Sequence, residues 1–316
     1  MRAVPAGADP RRRPLSAASA PAMPDSVMSD SAMRRLGVHT SIAGGIDKGI
    51  ERAKALGCNT VQFFSHNPRG WAIKGRDRAE CSACQRLIKD LDISPAFIHT
   101  SYLINLAAGD KELLQKSVSM VIEELHIADA LGAEYVVLHT GSASSDNPEH
   151  ARKRAIEGLT RVAGAGTWRA GLLLENTAGE RGDTTSRVAE IAEIIDSVPQ
   201  GLIAGICVDT CHAFAAGYEL RTAAGIDSLA AEIDRYVGRE SLRLIHLNDT
   251  KGDVGSRVDR HEHIGEGKLG LEAIEAIVNH SFFRNVPLIL ETPKKTDDDD
   301  LRNLAVVRGL FEDSDL

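Results

Sequence analysis

From Arg35 onward this chain repeats one alternation eight times, a short apolar run followed by a longer segment whose apolar residues recur at helical spacing. Parallel strands joined by helical crossovers give this pattern, because a strand covered on both faces reads as a continuous apolar run while its crossover helix needs only one apolar stripe. Strands are predicted near residues 36–41, 58–65, 94–100, 134–140, 171–176, 204–210, 242–248 and 286–292, with helices between them. In DKELLQKSVSMVIEELHIADALG, for example, Leu114, Val118, Val121, Ile122 and Leu125 share one face, and His126 lies off it on the solvated side. Eight such units in roughly 280 residues fit a closed (β/α)8 TIM barrel better than an open doubly wound sheet. The first strand is also not followed by the GxGxxG of a dinucleotide site.

Strand after strand stops on a metal-competent side chain: FIHT, VVLHTG, LLLENTAG, ICVDTCH, LIHLND and LILET place His99, His139, Glu175, Asp209, His246 and Glu291 at six successive strand ends. A single buried imidazole or carboxylate is costly and is ordinarily a hydrogen-bonded core residue, but six aimed at one barrel mouth point to a polynuclear metal site. Local pairs add to them. Asp209 and His212 lie three apart in DTCH, and Asp259 and His261 lie two apart in the extended piece VDRH, on one side of the backbone. His263, two residues further on, competes with His261 for that place.

With 43% hydrophobic residues the chain can bury a large core, and no apolar run is long enough to cross a bilayer, which argues for a soluble protein. Five cysteines without disulfide-like spacing suggest a reducing compartment. Cys81 and Cys84 form a lone CxxC in a polar helical stretch and read as free thiols. The formal net charge of -8 argues against a polyanionic partner. Three bound divalent ions would add about +6 where a phosphate sits, so the sum does not settle the sign of the active face. Residues 1–33, rich in Ala, Pro, Ser and Arg, read as a disordered extension, and residues 34–316 as a single barrel domain. Asp9, Asp25 and Asp30 count against an organellar transit peptide, and Met23, Met28 and Met33 are alternative starts.

The segments GVHTSIAGG, SYLINLA, LLLENTAGERG, ICVDTCHAFAAGYELRT, HLNDTKGDVGSRVDRHEHIGEG and LILETP resemble the signature segments of the endonuclease IV family of abasic-site repair enzymes. The resemblance covers the chain from about residue 35 to the end, and it implies a (β/α)8 barrel with three zinc ions. His99 and His139 would hold the first ion, with Glu175 bridging to a second completed by Asp209, His246 and Glu291. His212, Asp259 and His261 would hold the third, and this register selects His261 over His263. It implies hydrolysis of the phosphodiester 5′ to an abasic site in double-stranded DNA, with water activated between the ions that Glu175 bridges. The products would be a 3′-hydroxyl and a 5′-deoxyribose phosphate, and blocked 3′ ends would also be trimmed. His39 would support the site, and Arg69, Tyr102 and Leu103 would enter the gap left by the flipped nucleotide. The enzyme would act as a monomer.

Ligand type alone fits zinc and also admits manganese or iron at one position. The glycine-rich loop after the seventh strand carries Arg257 and Arg260, which suit phosphate contacts. The run Asp297 to Asp300 reads as the start of the last helix. A barrel sugar isomerase or epimerase would also gather His, Asp and Glu at strand ends, but it needs fewer metals and has no use for the VDRH pair. A non-catalytic DNA-binding scaffold would need no complete ligand set.

Overall fold

Eight parallel strands close on themselves in the computed structural model, which describes residues 34–73, 75–143 and 147–312. They are β1 (Leu36–Thr40), β2 (Val61–Phe64), β3 (Ala96–His99), β4 (Tyr135–Leu138), β5 (Gly171–Glu175), β6 (Ile203–Asp209), β7 (Leu242–His246) and β8 (Leu288–Leu290). Each pairs with its neighbour in sequence, and β8 closes the barrel on β1 through Leu36 opposite Leu288 and Val38 opposite Leu290. The extension read at residues 1–33 lies outside the described residues.

The crossovers are α1 (Ile46–Ala55), α2 (Arg78–Asp90), α3 (Lys111–Leu131), α4 (Pro148–Ala163), α5 (Val188–Ser197), α6 (Thr210–Ala215), α7 (Ala223–Tyr236) and α8 (Leu271–Asn279), with α9 (Asp299–Leu310) after the last strand. In α3, Asp110 caps the first turn by accepting from the Leu113 amide, and Gly132 ends the helix at φ 78°. Leu114, Val118, Val121 and Leu125 are buried as the periodicity predicts, and so, unforeseen, is Glu124. Cys81 and Cys84 lie on the buried face of α2, and all five cysteines are free. The aspartate run does open the last helix. Among the described residues no helix is long and apolar enough to cross a membrane.

Seven of the eight strands are shorter than predicted, β6 alone keeping its length one residue earlier, and β2 shows why. Gly57, at φ 76°, and Cys58, whose amide donates to Ala53, finish the exit turn of α1, and Asn59 turns its side chain to the Leu36 amide, so pairing starts only at Val61. Alternation then divides the side chains. Residues such as Ile98, Val136, Leu172 and Ile206 face outward under the helices, while Phe97, Tyr135, Val137, Leu173, Cys207, Leu244 and Ile289 form a separate cluster filling the barrel. Gly37 on β1 leaves room for β2, since a Cβ there would lie 2.0 Å from the Thr60 carbonyl oxygen.

The loop after β7 holds a small antiparallel ribbon that the sequence did not suggest, Asp249–Thr250 paired with His261–Glu262. The buried Asp249 carboxylate gathers this loop by accepting from the amides of Thr250, Gly265, Gly267, Leu269 and Gly270 at 2.8–3.3 Å. Gly267 must be glycine for that approach, because its Cβ would sit 2.2 Å from Asp249 Oδ1.

Candidate metal centre

On six strands, two residues beyond the last inward apolar side chain comes a side chain able to bind metal. His99 follows Phe97, His139 follows Val137, Glu175 follows Leu173, Asp209 follows Cys207, His246 follows Leu244 and Glu291 follows Ile289. Period-two alternation therefore aims all six at the C-terminal mouth. His139 and Glu291 stand one residue past the ends of β4 and β8.

Glu175 is the centre of the arrangement and is fully buried. Its Oε2 lies 3.2 Å from His99 Nε2 and 3.1 Å from His139 Nε2, while its Oε1 lies 2.9 Å from His246 Nδ1 and 3.4 Å from His212 Nδ1. His246 Nδ1 is also 3.3 Å from Glu291 Oε2 and 4.0 Å from Asp209 Oδ2. Asp259 Oδ1 lies 3.3 Å from both His212 Nε2 and His261 Nε2. The nine predicted side chains thus fall into three groups with mutually close donor atoms: His99, His139 and Glu175; Glu175, Asp209, His246 and Glu291; and His212, Asp259 and His261.

The histidine orientations suit metal ligation. His99, His212 and His261 turn Nδ1 to the carbonyl oxygens of Thr100 (2.8 Å), Asn176 (3.0 Å) and Glu291 (2.9 Å), and His246 turns Nε2 to Gln62 Oε1 (2.8 Å). Carbonyl and amide oxygens only accept, so the outward nitrogen carries the proton and the inward one of a neutral ring presents a lone pair. His261 Nε2 is buried and has no hydrogen-bond partner.

Electrostatics point the same way. Burial alone would raise Glu175, but His139 and His246 hold it well below the usual carboxylate range; burial raises Asp209 despite His212 and His261. Burial opposes charge on His261 too, yet Cys211, Asp209 and Glu291 push it up to about 10. Desolvation drives His139 down to about 4, Glu175 only partly opposing. Without ions, then, His212, His246 and His261, whose proton affinity the neighbouring carboxylates raise, balance the carboxylates while His139 does not; a divalent cation supplies the same compensation with more charge in less space.

Sequence reasoning missed the amides that orient the carboxylates. Gln62, inward on β2, donates from Nε2 to Glu291 Oε1 at 2.7 Å and stands 2.9 Å from His39 Nδ1. Asn248 donates to Asp209 Oδ2 at 2.6 Å and accepts from the Glu291 amide at 2.8 Å, and Asn176 accepts from the Asp209 amide at 2.7 Å. Cys207 and Cys211 also come close to the histidines and carboxylates. Burial pushes the Cys207 thiol up to about 12, so it is neutral packing. His39 Nδ1 lies 3.2 Å from Glu291 Oε1, where the predicted supporting role would place it. His263 is buried outside the three groups, with Nδ1 3.0 Å from Asn303 Nδ2, and His126 is exposed and accepts from Trp168 Nε1.

A cavity of about 840 Å³ opens over the groups, lined by Arg69, Tyr102, His139, Asp259, His261 and Lys294 among others. A second of about 550 Å³ is lined by Trp71, Leu103, Asn105 and Asp183 and shares Tyr102, His139, His212 and Asp259 with the first. Tyr102 therefore stands between them, 66% exposed, its ring edge-on to Phe64 with centroids 5.1 Å apart. Arg257 and Arg260 are exposed on the loop after β7 and line neither cavity, and Arg257 holds φ 56°.

Residues 50–308 match the family model of the xylose isomerase-like TIM barrels. Over 276 residues the chain is 43% identical to a probable endonuclease 4 of Methanoculleus marisnigri, covering 87% of this chain and 98% of that protein. It is 40% identical over 285 residues to a probable endonuclease 4 of Aquifex aeolicus, with 90% and 100% covered. The crystal structure of endonuclease IV from Thermus thermophilus superposes with a TM-score of 0.77 at 39% identity, covering 87% of this chain and 98% of that one. A D-tagatose 3-epimerase-like protein, 17% identical with a TM-score of 0.65, shares the fold alone.

Proposed function

Because the chain belongs to the endonuclease IV family, a branch of the xylose isomerase-like TIM barrels, we propose that it is a metal-dependent AP endonuclease of base excision repair. It hydrolyses the phosphodiester 5′ to an abasic site in duplex DNA, leaving a 3′-hydroxyl and a 5′-deoxyribose phosphate, and it trims blocked 3′ ends. The observation that carries this reading is Glu175, a fully buried carboxylate with one oxygen facing His99 and His139 and the other facing His246 and His212.

Three zinc ions fit the donor set. His99, His139 and Glu175 would hold the first, Glu175, Asp209, His246 and Glu291 the second, and His212, Asp259 and His261 the third, with manganese or iron admissible at one position. Such ions neutralise phosphate oxygens and make water acidic enough to attack near neutral pH. The chain's own part is orientation: backbone carbonyls and Gln62 fix the imidazoles, and Asn248 and Gln62 fix Asp209 and Glu291. Tyr102, exposed between the two cavities, and Arg69, on the wall of the larger one, would enter the gap beside a flipped abasic nucleotide, with Leu103 beside Tyr102. Arg257 and Arg260 offer phosphate contacts on the loop that carries Asp259. All nine ligands come from one chain, which supports a monomer, and five free cysteines support a cytoplasmic setting.

The test is a nicking assay on an abasic duplex beside an epimerisation assay on a ketose, with metal analysis of the same sample. Incision 5′ to the abasic site supports the proposal, and turnover of the sugar with DNA left intact refutes it.

A further inference from the structure

Glu124 is a fully buried carboxylate in the middle of α3, outside the three ligand groups. It accepts from Ser65 Oγ, and its Oε1 lies 3.4 Å from His66 Nδ1, which in turn is 2.8 Å from Ser65 Oγ. Ser65 and His66 begin the loop after β2 that carries Arg69, and Arg76 closes the loop's other end by donating to the Ser65 carbonyl. This loop is joined to the loop after β3, which carries Tyr102 and Leu103, because Ser101 Oγ donates to the Pro68 carbonyl at 2.8 Å. Ser117, also on α3, accepts from the Asn105 amide at 2.9 Å, so the same helix holds the far end of the second loop.

Burying a carboxylate is costly unless it is compensated. Burial pushes Glu124 up to about 7 against the opposing pull of Ser65 and of the Ser101 backbone. The partners that offset that cost, Ser65 and His66, both belong to the loop that carries Arg69. We propose that Glu124 is a positioning residue for DNA recognition: through Ser65 and His66 it fixes the Arg69 loop, and through the Ser101 to Pro68 link it couples that loop to the one bearing Tyr102 and Leu103. This rests on the reading of those loops as the part that enters DNA.

The test compares metal-loaded wild type with Glu124→Leu, Glu124→Gln and Ser65→Ala. Amide exchange in peptides spanning residues 65–71 and 100–105 should rise together in Glu124→Leu while exchange in the barrel strands and metal content stay at wild-type levels. KM for an abasic duplex should rise on the order of tenfold with kcat nearly unchanged, the signature of lost binding and not lost chemistry. Glu124→Gln, which keeps an acceptor for Ser65, should recover most of the loss. In an Arg69→Ala, Tyr102→Ala background, Glu124→Leu should add little, because the side chains it positions are already gone. Unchanged loop exchange overturns the proposal, as does a fall in kcat and metal content at constant KM. If Glu124→Leu does not fold, Ser65→Ala carries the same expectations at smaller amplitude. A wild-type chain that fails to incise abasic DNA would remove the nuclease reading, while the exchange comparison still decides whether Glu124 holds the loops.

Discussion

His261 donates from Nδ1 to the backbone carbonyl of Glu291 at 2.9 Å, latching the ribbon after β7 onto the end of β8. The latch points Nε2 at Asp209 and Asp259, 3.6 and 3.3 Å away, so one ring joins two of the three groups. His261→Ala should therefore lower metal content from about three ions to about two, and activity by on the order of a hundredfold or more. His263→Gln changes a residue bonded to Asn303 and should retain all three ions. Metal analysis of both variants checks this, and equal metal loss in the two would mean that the ribbon's fold, and not His261, holds the third ion.

Gln62 touches Glu291, His39 and His246 together. Gln62→Leu should keep the barrel folded, since leucine occupies a similar volume at this inward strand position, but weaken metal retention by roughly ten- to a hundredfold. Competition with a chelator measures this, and unchanged retention would reduce Gln62 to packing.

The clustered side chains at the strand ends were legible because a charged or imidazole side chain ending an apolar run stands out, and strand alternation carries it to the mouth. Gln62 was not, because a neutral polar residue in VQFF reads like any strand residue facing solvent. Glu124 follows Glu123 on a helix that looks amphipathic, so nothing in the sequence distinguishes the buried one. The carbonyls of Thr100, Asn176 and Glu291 that set the imidazoles are backbone atoms and leave no mark in the sequence. The ribbon holding Asp259 and His261 depends on Asp249 reaching amides up to 21 residues away, a contact that local pattern does not encode.

A pH dependence follows from His261. Its pKa in the metal-free fold is raised to about 10 from an ordinary 6.5. The stability it contributes is therefore complete below about pH 6.5 and lost as pH rises through about 10. Zinc needs the same nitrogen without its proton, so loading becomes stronger as pH rises and displaces protons. Adding zinc to the stripped protein in weak buffer at pH 7 should release protons, as a pH indicator would report. Zinc uptake without proton release would show that the imidazoles were already neutral.

Arg69→Ala and Tyr102→Ala should weaken discrimination between abasic and intact duplex without changing metal content, because both residues line the cavity and neither belongs to a ligand group. Affinity for the abasic duplex should fall with added salt despite the formal charge of -8, since phosphate contacts release counterions. Competition binding at two salt concentrations checks both points; salt-independent binding would argue against backbone contact, and unchanged discrimination would remove the two residues from the DNA site.

The proposed metal centre depends on Glu175, and metal content and incision measured on the same preparations of wild type, Glu175→Gln and His126→Gln test this most directly. Wild type should hold about three divalent ions and nick a duplex 5′ to an abasic site without added magnesium, because the protein side chains alone form the cage. Glu175→Gln keeps the shape but removes the shared charge, so it should stay folded and lose activity by orders of magnitude, while His126→Gln should match wild type. Normal incision by Glu175→Gln, or a wild-type chain that holds a single ion and epimerises sugars, would contradict the account.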